Sequence, residues 1–287
     1  MVLEARLRSV VPQLSWEPLS LRWTQQKKLT DGSGSNGDAF GHAVSVDEST
    51  GVIAVSSVFQ GGASFNQMPK VFVYTGSGSS SSWSLAGTLT EPNGIVGSDF
   101  GISVSVNGTS IAVGDDNVDG AFTSAKSFVF SAIGNDWSSP SNVTLDYPGN
   151  RGESFGFSVS LSGSTLLVGA PQIHGIGNGS AYLFTKSGSN WSLSNGGNAL
   201  VPDDGVNDDG FGGSVAVDEA AQLALVGEPA RGNDHRGGVY VFSSTNGSTW
   251  AQSEVLDAGS SATIAAGFGF SVSLEPISVL ATRVMLM

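Results

Sequence analysis

The run Asp115-Asp116-Asn117-Val118-Asp119-Gly120 places the side-chain oxygens of Asp115, Asn117 and Asp119 at alternate positions and closes on a glycine. Hard cations such as calcium are held by oxygen ligands at this spacing. In a twelve-residue calcium loop the twelfth position is a bidentate Glu, whereas here it is Lys126. A site on Asp115, Asn117 and Asp119 would be completed by water and weak, with an affinity of about 10⁻⁴ to 10⁻³ M. Asp116 adds charge without the right direction. The competing reading is a solvated acidic loop, and no cofactor other than calcium is suggested.

A second acidic stretch, Asp203-Asp204-Gly205-Val206-Asn207-Asp208-Asp209-Gly210, offers Asp203, Asp204, Asn207, Asp208 and Asp209 as binding residues, and Glu228 joins them from a later loop. With a net charge of −13, the chain lacks the clustered Lys and Arg that phosphate binding needs. Nucleic acid and anionic membranes are excluded as partners, and a basic protein patch, a cation or a polar glycan is favoured. The competing reading is that the acids only confer solubility.

Signals for catalysis are thin, and the expectation is no catalytic residue and no enzyme. His42 occupies a strand position that holds Ile, Phe or Gly in equivalent segments, while His174 and His235 lie in loops without a matching carboxylate arrangement. There is no G-x-S-x-G elbow and no Cys. Asn-x-Ser/Thr sequons begin at Asn107, Asn142, Asn178, Asn190 and Asn246, against roughly three that so Ser-rich a chain produces by accident, so they support secretion only weakly. No apolar run reaches the roughly 18 to 20 residues of a membrane span. The opening MVLEARLRSVVPQLSW is a poor signal peptide, so the chain is expected to be cytosolic or to lack its true N-terminus.

The elements that carry these residues repeat. Phe-Gly occurs at Phe40, Phe100, Phe155, Phe211 and Phe268, at steps of 60, 55, 56 and 57 residues. Such a period signals a repeat architecture. Each Phe-Gly opens a strand of alternating large and small residues, as in Phe155, Phe157, Val159 and Leu161 against Gly156, Ser158 and Ser160. The second face is small rather than charged, so both faces are expected to be buried, bulky into small, between neighbouring sheets. A second apolar strand follows, then a third with alternating aromatics (residues 71–74, 127–130, 181–184, 239–242), then a fourth near Trp83, Trp137, Trp191 or Trp250. Four strands per unit around a ring is a β-propeller. One all-β domain over residues 1–287 fits a chain with 40 Gly.

Repeated Phe-Gly followed by Gly169-Ala170-Pro171 resembles the FG-GAP repeat of integrin alpha N-terminal propellers and related microbial proteins. Gly227-Glu228-Pro229 is close, while Ser56-Ser57, Gly114-Asp115-Asp116 and Thr282 depart from the motif. The resemblance covers residues 40 to about 282 and implies a propeller with, commonly, extracellular or cell-surface binding or adhesion. The family's calcium loops lie between the first and second strands. Here those turns read DESTG, NGTS, SGST and DEAAQ, without alternate oxygen ligands, so those sites are not carried over.

Integrin propellers have seven blades, and this chain has five units, the last stopping after two strands. Trp23 with Leu29 repeats the spacing of Trp83 with Leu89, and Trp16 precedes Trp23 by the step from Phe130 to Trp137. Residues 13–16 and 22–29 are therefore expected to be third and fourth strands that complete a fifth blade, the alternative being a piece of a longer propeller. In a four-stranded meander, second-to-third-strand loops share a face with the connections between blades. Most of the 25 acids fall on that long-loop face. The function expected is a non-catalytic binding or adhesion module for a protein or glycan partner. The alternative is a propeller domain of a secreted hydrolase, or part of a larger FG-GAP protein.

Overall fold

The computed structural model describes residues 25, 27–32, 38–59, 68–76, 83–95, 97–116, 125–149, 154–172, 178–204, 210–232, 234–259 and 266–274. Among the described residues sixteen strands form four antiparallel meanders. Blade one comprises β1 (Asp38–Asp47), β2 (Val52–Phe59), β3 (Lys70–Thr75) and β4 (Ser84–Thr90). Blade two comprises β5 (Ser103–Asn107), β6 (Ser110–Asp115), β7 (Lys126–Ile133) and β8 (Asp136–Asp146). Blade three holds β9 (Ser158–Ser162), β10 (Thr165–Ala170), β11 (Ser180–Ser187) and the short β12 (Asn190–Leu193). Blade four holds β13 (Ser214–Asp218), β14 (Leu223–Glu228), β15 (Gly238–Ser244) and β16 (Trp250–Asp257). No α-helix occurs among the described residues, and none of their helices is long and apolar enough to cross a membrane.

Strand alternation divides each blade into two buried faces. Ile111, Val113, Phe128 and Phe130 of blade two pack against Ala54, Val71, Val73 and Leu89 of blade one. On the opposite face, Ala112 and Val129 meet Val159, Leu161, Leu166, Val168 and Phe184 of blade three. The next cluster joins blades three and four in the same way. The core is thus distributed between blades, and blades two to four each turn their third-strand aromatics towards the preceding blade. In all four blades the Phe of Phe-Gly lies against the third-strand aromatics of its own blade, as with Phe100 on Phe128 at 5.6 Å, Phe155 on Tyr182 at 5.8 Å and Phe211 on Tyr240 at 5.3 Å.

The Gly of Phe-Gly is required twice over. Its φ is +93° in the first four units and +86° in the fifth, a region closed to most side chains. In the last three units its carbonyl also packs directly on the penultimate residue of the preceding blade's second strand, which is Gly114, Gly169 or Gly227. A Cβ on Gly114, Gly169 or Gly227 would overlap the carbonyl oxygen of Gly156, Gly212 or Gly269. The two halves of the repeat motif are therefore one inter-blade contact.

The small inner face also bonds across blades. Ser103, Ser158 and Ser214 donate their hydroxyls to the carbonyls of Gly156, Gly212 and Gly269 at 2.8, 2.8 and 2.7 Å. Ser45, Ser105 and Ser160 accept from the N–H groups of Val106, Leu161 and Val217, each at 3.0 Å. The inner strands surround a central cavity of about 490 Å³, which residues Val272, Ser273 and Leu274 of the fifth unit also line.

The fifth Phe-Gly docks on blade four as the others dock on their predecessors, with Phe268 N–H on the Arg236 carbonyl at 2.9 Å. Phe270 is 80% exposed, and Val44 and Val46 of β1 are each 60% exposed. Of the expected closing strands, 13–16 and most of 22–26 lie outside the described residues. Residues 27–29 are described and are not strand, but Leu29 packs on Val55, Phe72 and Tyr74, and the Tyr74 hydroxyl donates to the Thr30 carbonyl at 3.2 Å.

Candidate functional site

The last residue of a second strand faces the neighbouring blade, and its type differs from blade to blade: Ala170 in blade three, Asp115 in blade two and Glu228 in blade four. Asp115 and Glu228 are buried, at 0% and 1% exposure. A buried carboxyl needs partners or neutralisation, because desolvation of its charge is costly. The two blades meet that need differently.

In blade four, the tight turn after β14 brings Arg231 back over Glu228, with Arg231 N–H on the Glu228 carbonyl at 3.2 Å. The Arg231 Nε donates to the Tyr240 hydroxyl at 2.9 Å, and Nη2 donates to Asp204 Oδ2 at 2.6 Å. The Tyr240 hydroxyl in turn donates to Asp204 Oδ1 at 2.6 Å. Arg231 Nε stands 3.9 Å from Glu228 Oε2, and the guanidinium lies 5.6 Å from the centre of the Tyr240 ring. Burial pushes the Tyr240 phenol up, and its bond to Asp204 and the neighbouring Glu228 push it further. Burial also works upward on Asp204, but hydrogen bonds from Tyr240 and Arg231 and the Arg231 charge hold its carboxyl below the usual range.

Arg231 borders a cavity of about 490 Å³ that Asp234, Arg236 and Asp257 also line. Arg236 Nη2 pairs with Asp234 Oδ2 at 3.0 Å, and Asp257 Oδ1 accepts from Gly259 N–H at 2.8 Å. Two arginines and two aspartates thus line a space of small-ligand size. The cavity lies on the long-loop face, between the β14–β15 loop and the segment leaving β16.

In blade two, Asp115 Oδ1 accepts the Asp99 N–H at 3.1 Å. Asp116 is 5% exposed, and its Oδ1 is buried with no hydrogen-bond partner among the described residues. Burial, reinforced by the charge of Asp99, pushes its carboxyl up to about 7. Lys126 pairs in register with Asp115 but directs its Nζ to Asp146 at 2.5 Å.

Of the residues singled out by sequence, Asp204 and Glu228 are brought together around Arg231 and Tyr240. Asp203 is exposed, with its N–H on Gln252 Oε1 at 3.2 Å. Asn207, Asp208 and Asp209 lie outside the described residues, as do Asn117 and Asp119, two of the three calcium candidates. The third, Asp115, is buried at the end of β6. No group of three His, Cys, Asp or Glu side chains suited to a metal occurs among the described residues. Glu91 is also buried, accepting from Asn93 Nδ2 and Ile95 N–H. The long-loop face is therefore less charged at its surface than its composition suggests.

Sequence reasoning missed Arg231, Arg236 and Tyr240. Tyr240 occupies a repeated aromatic position and reads as core, and a lone Arg in a loop carries no motif. One signal was available: Glu228 stands where the repeat motif has Ala, so an acid in that packed place calls for a cation nearby.

An FG-GAP repeat family model matches residues 23–74, 146–184 and 197–242. Among solved structures, the chain is similar to the periplasmic gluconolactonase PpgL of Pseudomonas aeruginosa, with a TM-score of 0.55 at 12% identity. The match covers 79% of this chain and 59% of that protein, so this chain spans under two thirds of its neighbour's length. No curated protein sequence matches significantly.

The expectation that the chain is not an enzyme is corrected by this neighbour, because the same fold carries a gluconolactonase. The physical reason is that catalytic groups on a propeller face come from loops of different blades and leave no contiguous signature. Absence of a nucleophile motif therefore excludes nothing. Taken together, the repeat period, the paired glycine contacts, the four meanders and the three matched segments show a β-propeller fold that carries FG-GAP repeats.

Proposed function

We propose that this propeller is a hydrolase domain acting outside the cytoplasm on a polar, sugar-derived ester or lactone held beside Arg231 on the long-loop face. The observation that carries this reading is the cavity bordered by Arg231, Arg236, Asp234 and Asp257. Arg231 is pre-oriented, since Asp204 and Tyr240 already engage two of its donors. A guanidinium fixed in this way can stabilise the oxyanion that develops on an attacked carbonyl. Asp234 or Asp257 is the carboxylate to take a proton from the attacking water. The water oxygen bonds to the carbonyl carbon, the ring C–O bond breaks, and the proton passes to the leaving alkoxide, yielding a hydroxy acid. A periplasmic lactonase of the same fold supports the reaction class and the compartment.

The test is hydrolysis of glucono-δ-lactone and related aldonolactones, followed with a pH indicator. Asp234→Asn or Asp257→Asn should lower kcat/KM by roughly 10²-fold or more while leaving the melting temperature unchanged. A wild-type rate equal to spontaneous opening across the lactone series would overturn the reading.

A further inference from the structure

We propose that Asp116 and Asp99 bind a divalent cation in blade two, at the start of the β6–β7 loop, with Asp115 fixing Asp99 in place. The inference is independent of the reaction proposed for the Arg231 cavity. It starts from position. Asp116 follows the last residue of β6, where blade one has Val58, blade three Pro171 and blade four Pro229. Apolar residues serve the fold at this place, so packing does not call for an acid there.

The surroundings do not neutralise it. Asp116 Oδ1 is buried with no hydrogen-bond partner among the described residues. Lys126, the cation nearest in register, is turned to Asp146. The Asp99 backbone N–H bonds to Asp115 Oδ1 at 3.1 Å, which holds this residue beside the end of β6, and the Asp99 charge acts on Asp116. Blade four shows what the fold does with a buried acid when it supplies a cation itself: Arg231, held by Tyr240 and the exposed Asp204, places its Nε 3.9 Å from Glu228 Oε2. Among the described residues blade two supplies no such group, and a hard cation would supply the missing positive charge.

The ligand chemistry follows. Carboxylate oxygens select calcium or a similar hard ion over soft metals. Two carboxylates, with water completing the shell, give weak binding of about 10⁻⁴ to 10⁻³ M. This is not the first-to-second-strand turn, where DESTG, NGTS, SGST and DEAAQ lack the ligands. Asp47 there is instead occupied with the N–H groups of Ser49 and Gly108.

The experiment is calorimetric titration of the full chain with calcium, with melting curves in millimolar calcium and in chelator. The wild type should show saturable heat in the stated range and melt a few degrees higher in calcium. Asp116→Asn should abolish both, yet melt no lower than the wild type in chelator, because the amide removes the buried charge. Asp99→Asn should weaken the heat at least several-fold, which keeps the test decisive if the first variant folds poorly. Equal wild-type melting in calcium and chelator, absence of saturable heat, or an Asp116→Asn protein that keeps the increment would each overturn the proposal. None of these outcomes bears on lactone hydrolysis.

Discussion

Blades two and four put an acid at the same place in the repeat, yet their surroundings are opposite. In blade four, Glu228 sits beneath Arg231 and Tyr240, and Asp204 arrives from the preceding inter-blade connection to complete the network. In blade two, Asp115 is followed by a second buried acid, Asp116, whose Oδ1 has no partner among the described residues. Blade three keeps Ala170 there and needs neither solution. At this position blade four alone, among the described residues, sets a guanidinium beside the buried carboxyl. In blade four the chain brings its own cation, and with it a guanidinium held at the edge of a ligand-sized cavity.

The contrast can be broken most severely at Arg231. Arg231→Met keeps the aliphatic bulk over Tyr240 but removes the group that bridges Asp204, Tyr240 and Glu228. Breaking a buried charge pair costs roughly 3–5 kcal/mol, and the partial exposure of Arg231 places this case at the low end. Urea denaturation checks it; a loss near zero would mean that blade four does not depend on its internal cation.

Titration sharpens the comparison, because the two blades should respond to pH with opposite sign. The Asp116 carboxyl is raised to about 7, so its contribution to stability is fully present below the ordinary carboxylate range near 4. It is lost as pH rises through about 7. The Asp204 carboxyl is depressed, so its contribution is present above its ordinary range and lost as pH falls below it. In chelator, Asp116→Asn should therefore flatten the decline between about pH 4 and 7, and Asp204→Asn the decline on the acid side. Denaturation midpoints at several pH values give the answer, and parallel curves for all three proteins would remove the distinction.

The smallest effect is expected at Tyr240→Phe, which keeps the ring and deletes one hydroxyl donor to Asp204. A single hydrogen bond of this kind contributes about 1 kcal/mol, somewhat more when its partner is charged. If the loss matches that of Arg231→Met, the phenol rather than the guanidinium organises the site.

The repeat was legible because every blade is local. Antiparallel meanders pair strands that are neighbours in sequence, so alternation in FGFSVSL or TLLVGAP reports directly on which side chains share a face. The paired motif halves were legible as a pattern but not as a contact: nothing in Gly169-Ala170-Pro171 says that Gly212 of the next blade will press its carbonyl on Gly169. The serines read correctly as small, but their hydroxyls also bond to groups 53 to 61 residues away, as from Ser103 to Gly156 and from Val106 to Ser45. The acids of the long loops read as surface charge, and several are instead buried. Judging catalysis by contiguous motifs failed for a related reason, since a propeller face gathers its groups from separate turns.

What the sequence determined by itself was the period, the strand faces and the place of each acid along a strand, because these follow from steric alternation and a single repeat unit. Only the tertiary structure decided which acids acquire partners. Asp204 meets Tyr240 across 36 positions and Arg231 across 27, encounters set by how one blade's exit lies against the next blade's third strand. Charge compensation depends on distance in space and on exclusion of water, and both arise only when the blades have packed.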